Sequence, residues 1–219
     1  MADELILRTV GLTKVLGAAR VLRGVDAVFD RGLVHVIEGP NGAGKSTLLS
    51  LLGGRIRPSA GRVLLQAGRD LAAEGGDLRR RCGWLGHDLG LYADLDPFAN
   101  IALHARLRGL DAESAWKEVS EELGIAHLRG RKIREMSRGQ RQRVALGRTL
   151  LGAPDVLLLD EPSTGLDVAA VERLAKLLAG VATKGTIVLT VTHDVPFAAA
   201  LAGRYWALRE GKLARLEGR

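Results

Sequence analysis

At 219 residues the chain is long enough to bury a core as one domain, and 47% hydrophobic with 26% charged is ordinary globular composition, neither disordered nor fibrous. Cys82 is the only cysteine, so an intrachain disulfide is excluded and a reducing, cytosolic setting is expected. No apolar run reaches the ~18 residues of a membrane span, the acidic start MADELILR does not resemble a signal peptide, and the net charge of +7 comes from basic residues spread along the chain.

In chain order, the alternation over residues 5–10 predicts a strand, residues 12–17 follow, and 21–29 predict another. Together they form a small β-layer. The apolar run 33–37 predicts a buried strand, and Lys45–Leu52 predicts a helix. Residues 61–66 and Cys82–Leu85 are two further strands. The texture then changes. Asp96 followed by Pro97 starts a helix that runs to Arg108 and stops at Gly109. Asp111 caps a second helix through Leu123, stopped by Gly124, and a third spans 139–151. Strand character returns at 156–159, followed by a helix over 168–184, the strand Ile187–Val191, and a hairpin over 205–216 turning at Glu210 and Gly211. The pattern predicts an α/β fold with a mostly parallel sheet. One domain covers 1–219, with a core of about 1–87 and 151–219 and a helical insertion over about 88–150.

Between the 33–37 strand and its helix lie Gly39, Pro40, Asn41, Gly42, Ala43, Gly44, Lys45, Ser46 and Thr47. They fit G-x-x-x-x-G-K-[ST], the phosphate-binding loop. The glycines let the main chain approach a ligand, and backbone N–H groups and the helix N-terminus face a polyphosphate. Lys45 reaches the β/γ-phosphates and the Ser46 hydroxyl holds Mg²⁺. An acidic pair closes the 156–159 strand. Asp160 suits Mg²⁺ through water, and Glu161 aims at an attacking water as general base or polariser. By themselves the two acids also read as a solvated pair ending a strand. Pro162 to Asp167 reads as a turn with Asp167 capping the next helix. His193, just past a strand, reads either as a donor to a γ-phosphate or as a structural histidine. Ser137, Gly139 and Gln140 open the third insertion helix, a second positive helix end.

The set resembles the ATP-binding subunit of ABC transporters over the full chain. Residues 39–47 match Walker A; 156–160 with Glu161 match Walker B and its catalytic glutamate; 136–140 match the LSGGQ signature; 163–167 match the D-loop; His193 matches the switch histidine. The resemblance implies a P-loop NTPase core, ATP and Mg²⁺, and ATP hydrolysis with Lys45, Glu161 and His193 in catalytic roles. It implies a head-to-tail homodimer in which Ser137, Gly139, Gln140 and Asp167 complete the partner's nucleotide site. It also implies an integral membrane permease met by the segment after 87, and a peripheral place on the cytoplasmic face of the inner membrane. No nucleic acid is expected as a partner, and the long insertion or second cassette of soluble DNA- or ribosome-directed relatives is missing.

Three positions depart from the family pattern. Met136 and Arg138 replace the usual leucine and glycine of the signature, and Arg138 either crowds the site or adds positive charge. Leu16 stands where an aromatic usually stacks on adenine, which predicts weak base stacking. His87 replaces the usual glutamine; Mg²⁺ prefers oxygen to nitrogen, so His87 is expected to act on the metal through a water. Leu85-Gly86-His87 followed by Leu91-Tyr92 resembles the haem-exporter ATPases of cytochrome c maturation (CcmA type). An exporter of other cargo is the alternative, and a soluble non-transport ABC ATPase a further one.

Overall fold

The alternation that begins at residue 5 continues through Gly11 and gives one long strand, β1 (Leu5–Leu16), antiparallel to β2 (Ala19–Asp30). This is a computed structural model, and it describes residues 5–68 and 70–217. Leu7, Thr9, Leu12, Leu22, Val25, Ala27 and Phe29 turn inward and are buried, while Arg8, Val10, Asp26 and Val28 stay outside. That is the period of an antiparallel sheet with one covered face. Two further strands, β4 (Ala60–Ala67) and β5 (Asp70–Glu74), complete a sheet ordered β2-β1-β4-β5 once β3 (Val34–Glu38) is counted in chain order.

The parallel sheet contains β3, β6 (Cys82–Leu85), β7 (Val156–Asp160), β8 (Ile187–Val191), β9 (Arg204–Arg209) and β10 (Lys212–Arg215), ordered β10-β9-β3-β8-β7-β6. Every neighbouring pair is parallel except the β9–β10 hairpin. β7 and β8 are buried at every residue, as expected for strands covered on both faces. One face meets the antiparallel sheet and α1 (Lys45–Leu52), through Leu48, Leu49 and Leu52 against Leu158, Leu189 and Phe29. The other meets α5 (Arg138–Leu150), α6 (Val168–Thr183) and α7 (Val195–Ala200), through Leu146, Leu174 and Phe197 against Leu157 and Val188. Ile37, Val191 and Asp160 stand level across β3, β8 and β7, so the phosphate loop and the acidic pair leave the sheet at the same edge. Ligands of open α/β sheets bind at that edge.

α3 (Pro97–Leu107) and α4 (Ala112–Glu122) build a separate apolar cluster with Ile101, Trp116, Val119 and Val144. Their caps are those read from the sequence. Asp96 Oδ1 accepts from the Ala99 N–H at 2.8 Å, and Asp111 Oδ1 from the Ser114 N–H at 2.9 Å. α5 serves both cores, with Val144 in the helical cluster and Ala145 and Leu146 against the sheet.

Three elements, β5, the short α2 (Gly76–Arg81) and α7, lie outside those expected from the sequence pattern. β5 is four-fifths polar or alanine and becomes a strand by pairing with β4. α2 and α7 have six residues each, too few to show a helical period.

Candidate active site

The loop after β3 is shaped by close approach. A Cβ on Gly39 would lie 2.3 Å from the Leu208 carbonyl oxygen, so only glycine fits. Gly44 precedes α1 in the left-handed region at φ 96°, and a Cβ there would come within 2.6 Å of Val21 Cγ1. No side chain caps α1 and no acid sits in its first turn, so its leading N–H groups are left for an anion. Lys45 is 7% exposed; its Nζ donates to the Gly39 and Pro40 carbonyls at 2.7 and 2.9 Å. An ammonium has three donors. Two staple the loop and one remains for a phosphate. Burial pushes the Lys45 ammonium below its ordinary pKa, and the negative charges of Glu161 and Asp160 pull the other way. The Ala43 N–H closes the loop on the Pro40 carbonyl at 3.2 Å.

Opposite stand the acids. Asp160 ends β7 at 7% exposure. Glu161 has φ +53°, an uncommon conformation for a residue with a Cβ. Its N–H donates to the Val191 carbonyl at 2.9 Å, and its Oε2 accepts from the His193 N–H at 3.1 Å. Its Oε1 is buried without a hydrogen bond, and His193 Nε2 lies 3.5 Å from it.

These groups line one cavity of about 440 Å³. Asn41, Gly42, Gly44, Lys45, Ser46 and Thr47 form one wall; Asp160, Glu161, His193 and His87 form another. Val21 and Val191 also line it, and neither is marked by the sequence. Val21 reaches the loop because β2 passes in front of Gly44. Leu16 is not among the lining residues; it is 49% exposed at the end of β1, paired with Ala19. Ser137, Gly139, Gln140 and Asp167 do not line the cavity either. Ser137 and Gln140 cap α5 reciprocally: Ser137 Oγ accepts from the Gln140 N–H at 3.2 Å and Gln140 Oε1 from the Ser137 N–H at 3.0 Å. Asp167 caps α6 through the Ala170 N–H at 2.8 Å. Met136 is a core residue of the helical cluster, and the Arg138 stem lies over Gly165.

The donor set is hard oxygen: the Ser46 hydroxyl and the Asp160 and Glu161 carboxylates around one cavity. Among the described residues no group of three His, Cys, Asp or Glu side chains is arranged to hold a metal ion. Mg²⁺ does not require such a cage, since it binds through one or two carboxylates together with substrate phosphates. The residues therefore fit a Mg²⁺–polyphosphate, and the buried Glu161 Oε1 is an acceptor still lacking a donor.

A family model described as ABC transporter matches residues 22–164. The chain belongs to the ABC transporter family. It is an ATP-binding domain of that family, and its enzyme class is the ATP hydrolases. The cobalt import ATP-binding protein CbiO of Rhodobacter capsulatus is 38% identical over 204 residues, covering 90% of this chain and 72% of the relative. The cytochrome c biogenesis ATP-binding export protein CcmA of Gluconobacter oxydans is 36% identical over 182 residues, covering 83% and 78%. A dimeric ATP-binding cassette in a post-hydrolysis state bound to ADP and Pi superposes with a TM-score of 0.82 at 25% identity, covering 97% of this chain and 100% of that one. Among the described residues no helix of this ABC domain is long and apolar enough to cross a membrane.

Proposed function

We propose that this ABC domain is the ATP-hydrolysing motor of a membrane transporter. It works as a head-to-tail homodimer bound to an integral permease on the cytoplasmic face of the inner membrane. The observation that carries the reading is the meeting of Lys45, Ser46, Asp160 and Glu161 around one cavity, from two separate parts of the chain. Lys45 and the α1 N-terminus hold the β/γ-phosphates. Ser46, and Asp160 through water, would hold Mg²⁺, which when bound would neutralise charge on the phosphates. Glu161 orients and deprotonates the attacking water, and His193 lies beside its carboxylate to meet the γ-phosphate. His87 acts on the metal through a water.

The dimer reading is supported by a geometric remainder. The α5 N-terminus, with Ser137, Gly139 and Gln140, is a second anion-directed helix end that the chain's own cavity leaves unused. A second copy supplies the nucleotide for it, and the dimeric ADP-bound neighbour has the same fold. The helical region of about 88–150 is the permease-facing subdomain, supported by its separate apolar cluster.

For cargo we propose haem export in cytochrome c maturation, supported by Leu85-Gly86-His87 and by the cytochrome c relative. The cobalt importer, which covers more of the chain, favours a second reading with a different cargo. Co-expression with a cytochrome c maturation permease separates them: stable co-purification and permease-stimulated ATPase support the first, and neither effect supports the second.

The test of the motor itself is Glu161→Gln. The amide keeps size and removes the base, so hydrolysis falls by roughly 10²–10⁴. ATP still binds, and a dimer accumulates on size-exclusion chromatography with ATP and Mg²⁺. Wild-type turnover in this variant refutes the role of Glu161. Monomer alone at saturating ATP, also with the permease present, refutes the sandwich.

A further inference from the structure

The chain leaves β7 through a strained residue, Glu161 at φ +53°, and strain of this kind persists only where the surroundings hold it. Most of the restraints are local or come from β8 and the turn after it. The Glu161 N–H donates to Val191 O at 2.9 Å, the Thr164 N–H to Glu161 O at 3.2 Å, and the His193 N–H to Glu161 Oε2 at 3.1 Å. One restraint comes from elsewhere. Gln142, on the second turn of α5 and 6% exposed, donates its Nε2 to the Pro162 carbonyl at 2.9 Å. The bond is fully buried and spans 20 residues of sequence.

Its placement gives it leverage. Pro162 follows Glu161 directly and its ring locks φ. Holding the Pro162 carbonyl therefore leaves few soft torsions between Gln142 and the Glu161 backbone. The same helix face approaches the turn again at Gly139, where a Cβ would stand 3.0 Å from the Gly165 carbonyl oxygen. The two segments thus lie against each other at Gly139–Gly165 and Gln142–Pro162. α5 is also the helix shared by the helical cluster and the sheet.

We propose that Gln142 is a positioning residue for hydrolysis: its amide fixes the Pro162 carbonyl and so aims the Glu161 carboxylate, linking α5 to the hydrolytic carboxylate. The proposal rests on the reading above that Glu161 acts on the attacking water. A displacement of α5, which Ser137 caps at its N-terminus, reaches Glu161 through this bond.

The test uses the full chain with Gln142→Met, which keeps length and loses the donor. With ATP and Mg²⁺, kcat falls by about tenfold or more, because small misplacements of a reacting group are costly. KM and the dissociation constant of a fluorescent ATP analogue stay within about twofold, the split expected when only the transition state is affected. In a Glu161→Gln background the same change adds no further loss of residual rate, as required if Gln142 acts through Glu161. Amide hydrogen exchange over residues 161–166 speeds up in Gln142→Met whether or not the protein turns over. A kcat within twofold of wild type, an additive loss in the Glu161→Gln background, or unchanged exchange overturns the proposal. So does a joint loss of kcat, nucleotide affinity and melting temperature, which marks a packing role. Failure of the underlying reading looks different: Glu161→Gln and Lys45→Ala then keep full turnover.

Discussion

Acid should destabilise this domain through a histidine that does not line the nucleotide cavity. His35, the second residue of β3, is 0% exposed. Its Nε2 lies 2.8 Å from the Asp30 carbonyl oxygen, and the Trp206 Nε1–H lies 3.2 Å from its Nδ1. Both nitrogens are thus used by the neutral ring, Nε2–H as donor and Nδ1 as acceptor. Protonating Nδ1 turns an acceptor into a donor facing another donor. Burial lowers the His35 pKa from 6.5 to about 4; Arg204 and Arg215 add repulsion, and Asp30 partly offsets both. Since the folded value lies below the unfolded one, the unfolded chain binds more protons between them. The stabilisation is complete above about pH 6.5 and is lost as pH falls toward 4. At 1.36 kcal/mol per pH unit the window amounts to roughly 3 kcal/mol, a large share of the ~5–15 kcal/mol that holds a domain together. The assay is urea unfolding followed by tryptophan fluorescence at pH 7.5, 6.5, 5.5 and 4.5, for wild type and His35→Gln. Wild type should lose about 2–3 kcal/mol more than the variant across this series. The remaining histidines and the Asp30–Arg204 pair are present in both proteins, so the difference isolates position 35. Parallel stability curves refute the reasoning.

Two further outcomes follow from single side chains. Lys45→Ala removes the donor left over for the phosphates and should cut ATP hydrolysis by roughly 10²–10³ while the melting temperature shifts by only a few degrees; near-wild-type turnover in a coupled ATPase assay contradicts the placement of Lys45. The Cys82 thiol, 6% exposed, is pushed up to about 12, chiefly by burial and further by the charge of Asp155. It should stay unreactive toward an aromatic disulfide reagent at pH 8 and react only as the protein unfolds, so rapid stoichiometric labelling of the native chain would show that the thiol is not buried.

What the sequence determined by itself is what short-range chemistry decides. The strand–loop–helix around Lys45 is legible because glycine spacing, a preceding apolar run and a following helix act within about twenty residues. Asp96, Asp111 and Asp167 are legible as caps because each accepts from an N–H three residues on. β7 and β8 are legible as buried strands because uninterrupted apolar runs must be covered on both faces. Tertiary structure decided the rest. β5 exists because β4 offers it a partner, not because its own residues favour a strand. His87 and His193, separated by more than a hundred residues, face one cavity because β6, β7 and β8 lie side by side and end at one edge. Gln142 carries no mark in the run Arg141-Gln142-Arg143; it matters only because α5 crosses the turn after Glu161 and brings a buried amide to the Pro162 carbonyl. The left-handed backbone of Glu161 is likewise invisible in the sequence, since nothing in Asp160-Glu161-Pro162 favours it. A hydrogen bond across 20 residues and a strained φ have no local signature, because their energy comes from the packed neighbours that hold them in place.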